Sequence, residues 1–205
     1  MSISPRRLFT LLDAMTLVAA TALGLGIARG MHDLLWMNTN MTVKDGSVGA
    51  VLLTVARWTA LGLPLIVAWT IGLFLLHWRR PRPSLGDLLH RPGATACGAV
   101  VFALAIEAVN LTVLLVVVLA KQSMGKSSYG SLAECLVDCL IRGLGIEMGM
   151  PGLAVAVAWT MLALSGGWES DPGWLDRAGR LIGVAWVVLM VVDPWLLLTF
   201  LGGWS

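Results

Sequence analysis

The sequence predicts an all-α fold, that of a polytopic membrane protein with five transmembrane helices. Of the 205 residues, 58% are apolar and only 13% are charged, whereas a soluble domain of this size carries about 25% charged residues. Apolar runs of about 20 residues recur along the chain, and a run of that length can cross a bilayer as a helix. The mean hydropathy of +0.84 agrees with this class.

The first expected span follows a short basic head that contains Arg6 and Arg7. A basic head before an apolar run is also typical of a secretory signal peptide, but Asp13 and the length of the run favour a retained span. The second span contains Pro64, where a kink is expected because neighbouring helices can satisfy the freed carbonyl. The expected spans are 8–28, 55–78, 94–120, 143–164 and 181–203.

The connectors between these spans are polar, and their basic residues predict the orientation of the chain. A polar connector is expected at 29–47, and a short polar turn at 165–180. With the N-terminus inside, eight Lys and Arg residues lie on the cytoplasmic side and six on the other. The loop after the second span contains a dense cluster, Arg79, Arg80 and Arg82. Short cytoplasmic loops are enriched in such residues, so the sequence predicts an inner-membrane protein with a cytoplasmic N-terminus and an outside C-terminus.

Two sequence patterns recur at matching places and predict an internal duplication. The string VAWT occurs in spans two and four, and the pattern Leu-x-Arg-x-Gly leads into spans three and five. The matching ranges are 67–70 with 157–160, and 89–93 with 175–179. Chance recurrence of short apolar strings is the alternative interpretation.

If the duplication is real, the chain is one leading helix followed by two tandem similar helical hairpins, 48–120 and 143–203. Both hairpins would cross the membrane in the same direction. They would then be related by an axis along the membrane normal, as parallel repeats in some transporters are.

The same alignment places two carboxylates, Glu107 and Asp193, at equal depth in equivalent helices. Two such groups facing each other in a low-dielectric medium cannot both ionise easily, so they could share a proton. Asn110 lies one turn beyond Glu107 and would add an oxygen ligand. These three residues are the candidate intramembrane proton or cation site. The alternative is that each carboxyl group is neutral and hydrogen-bonded to a neighbouring helix.

A second matched pair, Arg57 and Glu147, would occupy equivalent positions near the outer edge of spans two and four. The simplest interpretation is an outer-edge ion pair. Alternatively, the long side chain of Arg57 extends to the headgroups and Glu147 reaches water.

Two cysteines and several glycines have spacings that are compatible with metal binding or with close helix packing, but these spacings also occur by chance. Cys135 and Cys139 lie four residues apart on an amphipathic stretch, where they could bind a metal, couple to a redox partner or be small packing residues. Glycines spaced four apart allow close approach of membrane helices. These pairs are Gly26 with Gly30, Gly145 with Gly149, and Gly179 with Gly183.

The polar residues do not form a known catalytic signature. No HExxH, no GxSxG with a spaced histidine and no phosphate-binding loop occurs, so no catalytic, cofactor or metal site is predicted. The net charge of +2 does not favour nucleic acid as a partner. The expected partners are the lipid bilayer and other membrane proteins or further copies of the chain. The sequence therefore predicts a non-enzymatic structural or accessory component of a membrane assembly. The alternative is a small proton- or cation-coupled transporter that uses Glu107 and Asp193.

Overall fold

A computed structural model describes residues 10–37, 48–79, 90–123, 149–168 and 173–202, with side chains described over a narrower part of these ranges. This part of the chain is all-helical, as the composition predicts. The helices are α1 Leu11–Met37, α2 Val48–Trp78, α3 Pro92–Ser123, α4 Gly149–Leu164 and α5 Trp174–Gly202.

Three of these helices contain apolar segments long enough to cross a membrane. The segments are Leu11–His32, Leu61–Trp78 and Pro92–Ala120. Helix α4 is apolar but has 16 residues, a length of about 24 Å, which is less than the ~30 Å hydrocarbon core of a bilayer. The predicted start of this span, at 143–148, lies outside the described residues. The apolar helices indicate a membrane-embedded helical protein.

Three helix boundaries lie well outside the predicted spans, and one of them is the start of α2, at Val48 and not at residue 55. Helix α1 continues to Met37, so part of the predicted polar connector is helical. Helix α5 begins at Trp174, so the end of the predicted polar turn forms its first two turns. Asp176 lies in the first turn, where a negative charge favours the helix dipole, and it pairs with Arg180 four residues later. Polar residues can therefore extend a helix beyond its apolar run.

The directions of the helices follow from contacts at one end of the bundle. Asp13 at the start of α1 meets Arg79 just after α2, so these two helices are antiparallel. The starts of α3 and α5 contact each other through Gly93 and Asp176, so α3 and α5 are parallel. Trp159, near the end of α4, reaches the first residue of α3. We call this region, where α1, α3 and α5 begin and α2 and α4 end, the Asp176 end.

Helices α3 and α5 lie at the centre of the described bundle, and α2 and α4 each contact both of them. Helix α1 packs along α2. The main core cluster joins α2, α3, α4 and α5 around the buried indole of Trp186. Its buried members are Leu63, Ala96, Val100, Val155 and Trp186. The core therefore holds the helices together around the α3–α5 contact.

Glycines allow the closest of these helix contacts. A Cβ atom on Gly179 would lie 2.6 Å from the carbonyl oxygen of Gly93, so the backbones of α3 and α5 touch there. The predicted Gly26–Gly30 spacing has a different outcome, because a Cβ atom on either residue would have no atom within 4 Å among those described. In α1 it is instead Gly24 that lies against the backbone at Pro64 and Leu65 of α2.

Candidate functional site

The most polar buried region of the described chain is the Asp176 end, and Asp176 is its central residue. Its side chain is only 3% exposed. Oδ1 accepts a hydrogen bond from the backbone N–H of Gly93 at 2.8 Å, and Oδ2 lies 3.2 Å from Nε of Arg180. The first N–H groups of a helix lack partners within that helix. Asp176 therefore caps a neighbouring helix, α3, and links its start to the start of α5.

Local sequence explains why this cap forms. Pro92 is the first residue of α3, a position that suits proline because its missing N–H needs no partner there. The next residue, Gly93, has no side chain, and a Cβ atom there would collide with the backbone oxygen of Asp176. The close approach that lets the carboxylate reach the Gly93 N–H thus depends on this glycine.

A second buried carboxylate, Asp13, lies at the start of α1 and has no exposed side-chain surface. The Thr10 N–H donates to its Oδ2 at 3.0 Å, and the Asp13 N–H donates to the Thr10 hydroxyl at 3.3 Å. This reciprocal arrangement is a capping box. The Asp13 Oδ1 also lies 3.5 Å from a guanidinium nitrogen of Arg79. From the sequence alone, Arg6 or Arg7 would be possible partners of Asp13, and both lie outside the described residues.

Two tryptophan indoles, one on α4 and one on α5, add polar contacts to neighbouring helices. Nε1 of Trp159 on α4 donates to the carbonyl oxygen of Pro92 at 2.9 Å. Nε1 of the buried Trp186 on α5 donates to the hydroxyl of Thr70 on α2 at 3.1 Å. Thr70 in turn donates to its own helix at the Ile66 carbonyl. A buried tryptophan normally finds such an acceptor, and here the acceptor belongs to another helix in both cases.

The candidate intramembrane site predicted from the sequence is only partly described. Glu107 is half-buried on α3, with its Oε1 atom buried. Asn110, one turn further along, is exposed. Asp193 lies within α5, but its side chain is outside the described residues. Whether Glu107 and Asp193 meet therefore stays a prediction.

The other predicted pairs fall outside the described side chains. Arg57 lies within α2 with its side chain undescribed, and Glu147 lies outside the described residues, so the outer-edge ion pair stays a prediction. Cys135 and Cys139 also lie outside the described residues.

The buried polar side chains that the structure describes mainly hold helices together. The buried carboxylates of Asp13 and Asp176 cap helix starts and lie beside arginines. A groove of about 440 Å³ between α4 and α5 has a mostly apolar lining that includes Trp159, Thr160 and Val188. Among the described side chains, no group of three or more His, Cys, Asp and Glu is placed to hold a metal ion.

Comparison with known proteins identifies no matching family model, no similar characterised protein and no similar solved structure.

Replacement of Thr70 by valine tests the contact between α2 and α5. We expect Thr70→Val to lower the free energy of unfolding by about 1–2 kcal/mol, because the buried Trp186 indole loses its acceptor. The matched control is Thr160→Val, since Thr160 ends the second VAWT string but is exposed and donates only to its own helix. Unfolding in detergent, followed by circular dichroism, measures both. Equal effects of the two variants would contradict a stabilising Thr70–Trp186 bond.

Proposed function

We propose that this chain is a non-enzymatic structural or accessory component of a membrane assembly in the inner membrane. The observation that supports the proposal is that the buried carboxylates form contacts within and between helices. Asp13 and Asp176 are engaged in helix caps and arginine contacts, which hold helices together. Buried polar groups in membrane proteins commonly serve to join helices in this way.

The proposed architecture has five spans, formed by a leading helix α1 and two similar hairpins, α2–α3 and α4–α5. The contact between Gly93 and Gly179 supports the duplication, because the sequence patterns equate these two residues. A twofold axis between α3 and α5 would bring equivalent residues on the axis together. The positions of α2 and α4, each in contact with both central helices, also fit such an axis.

The tryptophans of the two VAWT strings donate hydrogen bonds to different helices. Trp69 of the first string donates to the hydroxyl of Thr21 on α1 at 2.9 Å. Its counterpart Trp159 donates to Pro92 on α3. Among the described residues, the partner of Trp69 belongs to the leading helix α1, whereas the partner of Trp159 belongs to the central helix α3.

Single cysteines in loops test the five spans and the proposed orientation. After the three native cysteines are replaced by alanine, one cysteine is introduced at Ser84, Ser127, Ser170 or Ser205. A membrane-impermeant maleimide added to intact cells should label cysteine at 127 and 205 but label 84 and 170 only after lysis. The reverse pattern would contradict the orientation. Labelling of 170 and 205 from the same side would contradict the fifth span.

The accessory role is tested by extracting the tagged chain in native bilayer patches with an amphipathic polymer. We expect particles in which a second membrane protein is recovered in fixed ratio to the chain. A tagged, unrelated helical membrane protein from the same membrane is the control for non-specific recovery. Patches that hold only the 21.9 kDa chain and lipid would contradict this role.

The alternative function, a proton- or cation-coupled transporter, is favoured by one observation, the half-burial of Glu107 within an apolar helix. An acidic group at that depth often belongs to a proton or ion pathway. We expect Glu107→Gln to leave folding nearly unchanged, because the amide can still form hydrogen bonds, and to leave the proton permeability of proteoliposomes at the level of the parent protein. Measurement uses a pH-sensitive dye inside the vesicles under an imposed potential. Proton flux through the parent protein that falls at least about tenfold in Glu107→Gln would instead favour the transporter.

A further inference from the structure

Over its second half, helix α3 is exposed on most of its circumference, as Val109 and Val116 show at 62% and 59%, and one of its exposed rows carries a polar side chain. Ile106, Val113 and Val117 are 43%, 58% and 45% exposed, and Asn110 among them is exposed as well. These four residues, spaced four, three and four apart, form what we call the Asn110 face. This spacing places side chains in one row along a helix and is the spacing of helix–helix seams.

The Asn110 face lies at a depth where a polar side chain is costly. The apolar segment Pro92–Ala120 has its midpoint at Ile106, and Asn110 is four residues further along, about 6 Å from the midpoint at 1.5 Å per residue. The hydrocarbon core extends about 15 Å to either side of its centre. Lipid chains offer no hydrogen bonds there, so an exposed amide would lose those it makes in water.

Within the described part of the chain, no hydrogen bond reaches the Asn110 side chain. Thr112, two residues later and also exposed, differs because its hydroxyl donates to the Ala108 carbonyl of its own helix. In a membrane helix, a threonine hydroxyl can donate to a backbone carbonyl of its own helix. The Asn110 amide needs a hydrogen-bond partner outside its own helix.

We propose that the Asn110 face is the interface of a homodimer, in which α3 of one copy packs against α3 of a second copy. A carboxamide has both an acceptor oxygen and donor hydrogens, so two Asn110 side chains related by a twofold axis satisfy each other. In a twofold dimer the same residues face each other across the axis, which this self-complementary group allows. The valines and Ile106 above and below Asn110 supply matching apolar surface. The inference rests on the proposed membrane placement of α3 and names one partner of the proposed assembly.

Association of full-length chains in lipid vesicles tests the dimer. Copies labelled with donor and acceptor fluorophores at an introduced cysteine at 84 are mixed over a range of protein-to-lipid ratios, and energy transfer gives the dissociation constant. We expect a dimer for the parent protein and a dissociation constant roughly tenfold higher for Asn110→Ala, the size expected for loss of interhelical hydrogen bonding in a bilayer. Asn110→Gln should restore most of the affinity. The matched control, Thr112→Ala, should change the constant by less than about twofold, because Thr112 lies off the face.

Cross-linking locates the interface independently. In the variant without native cysteines, Val113→Cys should form a disulfide-linked dimer under mild oxidation, whereas cysteine at the exposed position 108, on another side of the helix, should not. Energy transfer that equals that of a non-associating membrane protein would overturn the dimer. A dimer unaffected by Asn110→Ala, or cross-linked from position 108 rather than 113, would overturn the assigned face.

These outcomes are separate from failure of the proposed function. The loop-labelling experiment decides whether α3 spans the membrane, and the bilayer patches decide whether other proteins accompany the chain. A homodimer without other proteins would support this interface and contradict the accessory role, whereas particles with one copy and a second protein would do the reverse.

Discussion

Replacement of Asp176 by alanine is expected to destabilise the protein by about 3 kcal/mol. The carboxylate is buried between the Gly93 N–H and the Arg180 guanidinium, and removal of one member of such a pair leaves its partners without compensation. Arg180 is one-third exposed, so water offsets part of the loss and the value lies at the low end for buried pairs. Unfolding of the purified protein in mixed micelles, followed by circular dichroism, measures the change.

Two controls separate the cap from the charge. Asp176→Asn keeps an oxygen that can accept from the Gly93 N–H, so we expect a smaller loss of about 1 kcal/mol. Arg177→Ala alters an exposed neighbour on the same helical turn and should change the free energy of unfolding by less than about 0.5 kcal/mol. A loss for Asp176→Ala no larger than that for Arg177→Ala would show that the cap contributes nothing.

The second large effect is expected at the contact between α3 and α5. Gly179→Ala should lower the free energy of unfolding by about 2–3 kcal/mol, since the added methyl group forces closely packed elements apart. The new Cβ atom would lie 2.6 Å from the carbonyl oxygen and 2.9 Å from the Cα atom of Gly93. Both are backbone atoms, which cannot rotate away as the end of a side chain can. The same detergent unfolding assay measures this loss.

The matched control is Gly26→Ala in α1, where a Cβ atom would meet nothing within 4 Å of the described structure. Because alanine favours a helix more than glycine does, this variant should be neutral or more stable by up to about 1 kcal/mol. Similar losses in the two variants would mean that helix propensity, and not the α3–α5 contact, sets the effect at Gly179.

The helical class and the membrane character were predictable because both follow from composition and from the length of apolar runs. The helix ends were less predictable. Asp176 and Arg180 are polar, so hydropathy assigned them to a turn, although they form the start of α5. A signal was present, since a Pro-Gly pair at 172–173 precedes an acidic residue that lies four positions before an arginine.

The glycine pairs also show a difference between what the sequence predicts and what the packing decides. Three pairs with the same spacing are indistinguishable in sequence, yet Gly179 and Gly183 lie at a helix contact while Gly26 and Gly30 do not face a described helix. Spacing shows that two glycines share one side of a helix. It does not show which way that side faces in the bundle.

By itself the sequence determined an all-helical membrane protein, because burial of the backbone in lipid leaves the helix as the structure available to apolar segments of this length. It also placed Glu107 and Asn110 within one such helix. Only the tertiary structure decided that Asp176 caps α3, that Thr70 accepts from Trp186, and that Asn110 lies on an uncovered face. These contacts join residues as far as 116 positions apart. They depend on how the helices rotate and cross, which is set by the packing of many side chains together and not by local pattern.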